Sequence, residues 1–143
     1  MGYTYDGSLM LTVTWCGAVV GSVSRTYDAD FRVASISVNG LVPITYGYDA
    51  DGLLTQAGDM TLTRDPVNGL LVGTTLRNML GGTTPGGVED AYSYNGFGEV
   101  VSYHANYMAE QLFSEVLERD ALGRITTKTE TVLGETHVYE YRY

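Results

Sequence analysis

The stretch YGYDADGLL, residues 46–54, admits three readings. Its two carboxylates, Asp49 and Asp51, suit a calcium loop, a general acid and base, or nothing more than the first and third places of a turn. Recurrence decides between them. Related stretches stand at 3–9 (YTYDGSL), 25–33 (RTYDADFRV), 62–72 (LTRDPVNGLLV), 92–101 (YSYNGFGEVV) and 117–125 (LERDALGRI). The anchoring residues are Asp6, Asp28, Asp49, Asp65, Asn95 and Asp120, and the closing YEYRY stops where another Asp is due. A unit recurring at intervals of this order is the mark of stacked supersecondary elements.

The offsets define the unit. An Asx side chain at the first turn position accepts from backbone N–H groups further on, and a Gly three residues later supplies the left-handed conformation. Asp49 with Gly52, Asn95 with Gly98 and Asp120 with Gly123 fit that rule. Together they predict a type I turn followed by a glycine bulge, a common hairpin connection. Ahead of the turns stand Tyr3 and Tyr5, Tyr46 and Tyr48, Tyr92 and Tyr94, or the variant Leu117 and Arg119. Period two places each pair on one strand face. After the turns come Leu54, Leu71, Val100 and Ile125, so the unit reads strand, Asx-Gly turn, strand. Some copies depart from it. Tyr27-Asp28 is followed by Phe31 at the Gly position, Asp65 has an extra residue before Gly69, and Asp6-Gly7 reads as a two-residue turn. A calcium or catalytic role would need both carboxylates of Asp49 and Asp51. The matching places hold Asn95 with Phe97 and Asp120 with Leu122, so Asp-Ala-Asp-Gly is read as a turn.

The rest of the composition agrees. Among 143 residues are 12 Tyr and 18 Gly, with 44% hydrophobic residues, a mixture that suits pleated strands and tight turns. The net charge of −9 repels a phosphate backbone, so no nucleic-acid partner is expected. The single cysteine, Cys16, excludes an internal disulfide, and its apolar setting beside Trp15 reads as a buried structural thiol. The apolar run at 16–21 is too short to span a bilayer, no targeting signal is visible, and no membrane insertion is expected.

At these repeats the sequence resembles the YD-repeat, or Rhs-repeat, family, whose signature is approximately Tyr-Asp-x-x-Gly-Arg-Leu. RDALGRITTK and YGYDADGLLTQ lie close to that pattern, RDPVNGLLVGTTL resembles a common variant, and the resemblance runs from Tyr3 to Tyr143. It implies an all-β fold of antiparallel hairpin repeats in a curved or spiralling sheet, with residues 1–143 forming one segment of a larger shell. The motif residues are then Tyr5, Asp6, Tyr27, Asp28, Tyr46, Tyr48, Asp49, Gly52, Asp65, Gly69, Tyr92, Tyr94, Asn95, Gly98, Asp120, Gly123 and Arg124. Bacterial Rhs and Tc-type toxins use such a ribbon as a hollow shell around a toxic C-terminal cargo, and teneurins use it within a cell-adhesion ectodomain. The resemblance therefore implies a structural scaffold, secreted or at the cell surface. Its partners would be neighbouring repeats and an enclosed polypeptide cargo. The alternative is a teneurin-like adhesion module for a glycan or protein. Bacterial members end their core with a self-cleaving segment near a DPxGL-like motif, but Asp65-Pro66 sits mid-chain with an extra residue and reads as a repeat turn.

No chemistry emerges beyond the repeat. His104 and His137 have no ligand-type residue at a metal-binding spacing, no nucleophile elbow is present, and no catalytic residue, cofactor or metal is expected. His137 in GETHVYEYRY reads as a cross-strand residue. Residues 81–90, GGTTPGGVED, read as an extended surface loop. Over 105–116 the residue types allow helix or strand, and the repeat context favours strand. Exposed strand edges are expected to drive self-association.

Overall fold

The computed structural model describes residues 1–77 and 87–143. The described residues form strands and turns, with every strand pairing antiparallel, as the repeat pattern predicts. The chain divides into two compact units, Met1–Asp59 and Met60–Tyr143. The first holds β1 (Gly2–Asp6), β2 (Leu9–Trp15), β3 (Gly21–Tyr27), β4 (Val33–Val38), β5 (Ile44–Tyr48) and β6 (Leu54–Ala57). The second holds β7 (Met60–Arg64), β8 (Leu71–Arg77), β9 (Gly87–Tyr94), β10 (Val100–Tyr107), β11 (Glu110–Arg119), β12 (Ile125–Val132) and β13 (Glu135–Glu140). In each unit the strands lie side by side in chain order.

Alternation and register give each sheet two chemically different faces. In the first unit Thr4 opposes Thr12, Thr12 opposes Ser24, and Thr26 opposes Ser35, whose hydroxyls bond at 2.7 Å. The other face carries Tyr3, Val13, Val23 and Val38 in one cross-strand row, with Arg25, Ile36 and Ile44 in the next. The second unit repeats the division. Ser93 bonds Ser102 and Thr131 bonds Thr136 on one face. On the other, the rings of Tyr94, Tyr92, Tyr103 and Phe113 follow one another at centroid distances of 6.5, 4.7 and 5.8 Å. Such cross-strand pairs contribute roughly 0.2–1 kcal/mol each. They matter here because, among the described residues, no hydrophobic side chain is fully buried. Each unit is a single sheet whose apolar face is lined by its own cross-strand rows.

Two glycines let backbones and rings approach. The indole of Trp15 lies over Gly21 where a Cβ would stand, and a Cβ on Gly73 would sit 2.6 Å from the carbonyl oxygen of Asp90 on the paired strand.

Three expectations are refined or corrected. Residues 105–116 are extended, as the repeat context favours, but a turn at Met108 (φ 56°) and Ala109 divides them between β10 and β11. Of the expected loop 81–90, residues 87–90 instead open β9, and 81–86 lie outside the described residues. Cys16 is exposed rather than buried. It follows the last residue of β2, and a single-layer sheet has nothing to pack over a strand end.

Gly73→Ala is expected to cost about 1–3 kcal/mol, since the added methyl meets paired backbone that cannot rotate away. A urea midpoint equal to that of the unsubstituted protein would contradict the close approach of β8 and β9.

Candidate functional site: turns and the joints between repeats

Each complete Asx turn is built from the same four hydrogen bonds. In the copy at 120, Leu122 N–H and Arg124 N–H donate to Asp120 Oδ1 at 2.9 and 3.0 Å. Gly123 N–H donates to the Asp120 carbonyl at 3.0 Å, and Asp120 N–H donates to the Arg124 carbonyl at 2.9 Å. The turns at Asp28, Asp49 and Asn95 repeat this set. Gly123 takes φ 78°, and Phe31 is held at φ 61° in the equivalent place. A side chain there is uncommon and strained, so the network around Asp28 is strong enough to hold it. The extra residue after Asp65 is absorbed by moving the positive φ to Gly69, whose N–H donates to the Asp65 carbonyl at 2.8 Å. Asp6 faces Leu9 across the two-residue turn Gly7-Ser8. The register shifts between Thr26 and Tyr27, Gly47 and Tyr48, and Glu118 and Arg119, which marks a second bulge just beyond each turn, at Ala34, Thr55 and Thr126, separate from the glycine bulge that the spacing predicts.

The residue before the Asx performs a task that its strand position did not disclose. Between hairpins the ladder stops short of the turn: β4 and β5 pair only at Ser35 with Thr45 and at Ile36 with Ile44. The first strand carbonyls after the turn would then lack partners, and unpaired backbone groups are costly. Tyr48 Oη supplies one, donating to the Val33 carbonyl at 2.9 Å. Tyr27 Oη donates to Met10 at 2.9 Å, Tyr94 Oη to Leu71 at 2.6 Å and Tyr143 Oη to Ile125 at 3.0 Å. Where Arg119 replaces tyrosine, its Nη2 donates to the Val100 carbonyl at 3.2 Å and its Nη1 to Gly123 of its own turn at 3.1 Å. Thus at Tyr27, Tyr48, Tyr94, Arg119 and Tyr143 one phenol or guanidinium stitches the repeat to the one before. Tyr46 and Tyr92 stand one strand period earlier, and Tyr5, next to last in β1, has 57% of its surface exposed.

The residue closing the turn completes the joint. Arg32 Nε pairs with Asp28 Oδ2 at 2.8 Å, while its guanidinium lies 4.7 Å from the ring centroid of Tyr48. Arg124 does the same with Asp120 and, at 4.8 Å, with Tyr143. The Asp-x-x-Gly-Arg order thereby gains a physical reading: the acid orders the turn and the arginine, and the arginine covers the next repeat's tyrosine. Arg32, Glu99, Arg119 and Tyr143 escaped the motif assignment because their partners belong to the next repeat or the one before. A recurring residue just before and just after each turn was the available signal.

The ionisation of these groups follows from the contacts. Burial works to raise the Asp28 carboxyl, but the N–H groups of Arg32 and Asp30 and the Arg32 guanidinium outweigh it and hold Asp28 below the usual carboxylate value. Arg124 lowers Asp120 likewise, helped by backbone N–H groups against the opposing effect of burial. On the aromatic face of the second unit, hydrogen bonds to Glu115 and Glu130, at 2.8 and 2.7 Å, raise Lys128. Burial, reinforced by Asp90, raises Tyr92 and Tyr103. His137 faces Glu130 across the strand pair, the cross-strand position expected of it. Among the described residues no group of three or more His, Cys, Asp or Glu side chains is arranged to hold a metal, and no helix is long and apolar enough to cross a membrane.

Antiparallel hairpins chained by Asx turns, with a recurring side-chain bond from one repeat to the one before, define a β-hairpin repeat scaffold. A family model described as Teneurin YD-shell matches residues 1–143, and the chain belongs to that family. Among curated proteins nothing matches the chain.

Asp28 and Asp120 have lowered folded-state values, so their contribution to stability is present in full above the ordinary carboxylate pKa near 3.8. It is lost as pH falls through the lower folded values. The melting temperature is therefore expected to drop on acidification in that window, and Asp28→Asn with Asp120→Asn together to flatten the drop. An identical acid profile for that double variant would contradict the assignment.

Proposed function

We propose that the chain is a structural wall segment of a larger, secreted or surface-delivered YD-shell that encloses a polypeptide cargo. The observation that carries this reading is the repeated joint. Each one spends the signature residues on the turn or on the adjoining repeat, which is what a wall needs. Single-layer sheets with one hydroxyl-rich face and one aromatic face also suit a partition between two environments. Family membership supports the scaffold role, and the structural character of that family weighs against an enzyme. The test is the coding DNA on both sides of this stretch. Further repeats running into an unrelated C-terminal domain are expected, and a membrane anchor with adhesion modules would overturn the cargo reading in favour of an adhesin.

Open edges support a second part of the proposal. β1 pairs with β2 alone and β13 with β12 alone, and every residue of both edge strands is exposed. Unpaired edges recruit strands, so the isolated chain self-associates. Light scattering at high micromolar concentration is expected to give a mass above 15.5 kDa; a monomer under those conditions would refute edge pairing.

The exposed rings of Tyr3, Tyr5 and Tyr139 favour an adhesion module as the alternative reading. A glycan array separates the two. Under the wall reading no glycan binds selectively. Selective binding that disappears in Tyr3→Ala with Tyr5→Ala, with circular dichroism unchanged, would instead establish the adhesion module.

A further inference from the structure

The joint between the turns at 95 and 120 differs from those at 28 and 120 in the polarity of all three participants. At Asp28 an acid opens the turn, Arg32 closes it, and Tyr48 receives the arginine on its ring. At Asn95 the opening residue is an amide, the closing residue is Glu99, and the residue met in the next repeat is Arg119. Asn95 Oδ1 already accepts from Phe97 and Glu99 N–H groups at 2.9 and 3.1 Å, which leaves Nδ2 to donate to Glu99 Oε2 at 2.7 Å. The same carboxylate oxygen lies 3.7 Å from Arg119 Nε. The opening residue changes from acceptor to donor, the closing residue from cation to anion, and the residue met in the next repeat from a neutral ring to a cation. Each member of the inverted set fits the other two. An acid in place of Asn95 would face the Glu99 carboxylate, and a tyrosine in place of Arg119 would leave that carboxylate without its cation.

We infer that the residue closing one turn and the residue preceding the next form a matched pair that specifies which repeat follows which, with Asn95, Glu99 and Arg119 as an inverted key. Out-of-step pairing then carries a penalty. Setting the 120 turn against a hairpin that brings Arg119 would oppose two guanidiniums. Setting the 95 turn against one that brings Tyr143 would place a carboxylate over a phenol ring, whose face is itself negative. In a chain of similar hairpins backbone pairing alone distinguishes little, so a device of this kind fixes order by making the wrong neighbour unfavourable. The inference goes beyond the scaffold role, because a wall could be built from identical joints.

Exchange of the whole key in the full chain tests it. Arg119→Tyr alone and Asn95→Asp with Glu99→Arg are each expected to lower the urea midpoint. The triple variant combining them rebuilds the Asp, Arg and Tyr set found at 28, 32 and 48, and is expected to recover at least half of the larger loss. A triple variant no more stable than the weaker of the two partial variants would overturn the inference. If a partial variant fails to fold, Asn95→Asp alone provides a second reading. The carboxylate it adds beside Glu99 raises the folded-state pKa of that pair, so the stability deficit is present at neutral pH and shrinks as pH falls through the carboxylate range. A deficit independent of pH, or none at all, would overturn the pairing of Asn95 with Glu99.

Discussion

The structure depends on a recurring hydrogen bond donated by the side chain at the end of one repeat to a carbonyl near the start of a strand in the preceding repeat. Ladders within a hairpin are closed by the Asx turn, but ladders between hairpins end before the turn is reached. Without Tyr27, Tyr48, Tyr94, Arg119 and Tyr143, the carbonyls of Met10, Val33, Leu71, Val100 and Ile125 would lose their partners. A single-layer sheet has no buried hydrophobic residue among the described ones to offset that loss. Order along the ribbon therefore rests on small, regularly placed polar contacts supplemented by cross-strand rows of rings and hydroxyls.

Two demands meet at the turns opened by Asp28, Asn95 and Asp120. The Asx side chain must satisfy the amides of its own loop, and the closing residue must reach the next repeat. Arg32 and Arg124 meet both by pairing with their own Asp while lying over a tyrosine further along. Glu99 meets both with reversed polarity, through Asn95 and Arg119. At these three turns the motif is a set of contacts with two polar solutions, so its letters vary while its geometry does not. Phe31 makes the same point about the backbone: the positive φ persists where the glycine does not.

Most of the hairpin architecture was legible in the sequence. The Asx-to-Gly spacing fixed where turns fall, and alternation placed Tyr46 with Tyr48 and Tyr92 with Tyr94 on shared faces. Legibility failed where composition misleads. Cys16 sits in an apolar run, yet burial needs a second layer, and a run of apolar residues does not say whether one exists. Met108 and Ala109 carry none of the usual turn residues, and the positive φ at Met108 is imposed by the pairing of β10 with β11 on both sides.

The sequence by itself determined the repeat, the turn chemistry and the all-β class, because each is a property of residues close together along the chain. Only the tertiary structure decided which carbonyl each tyrosine serves, that Arg32 and Arg124 lie over rings in the following repeat, and that Asn95, Glu99 and Arg119 form one set. The contacts between repeats join residues 15 to 23 positions apart. Register, bulge and the early end of the inter-hairpin ladder bring them together, and no local spacing encodes all three.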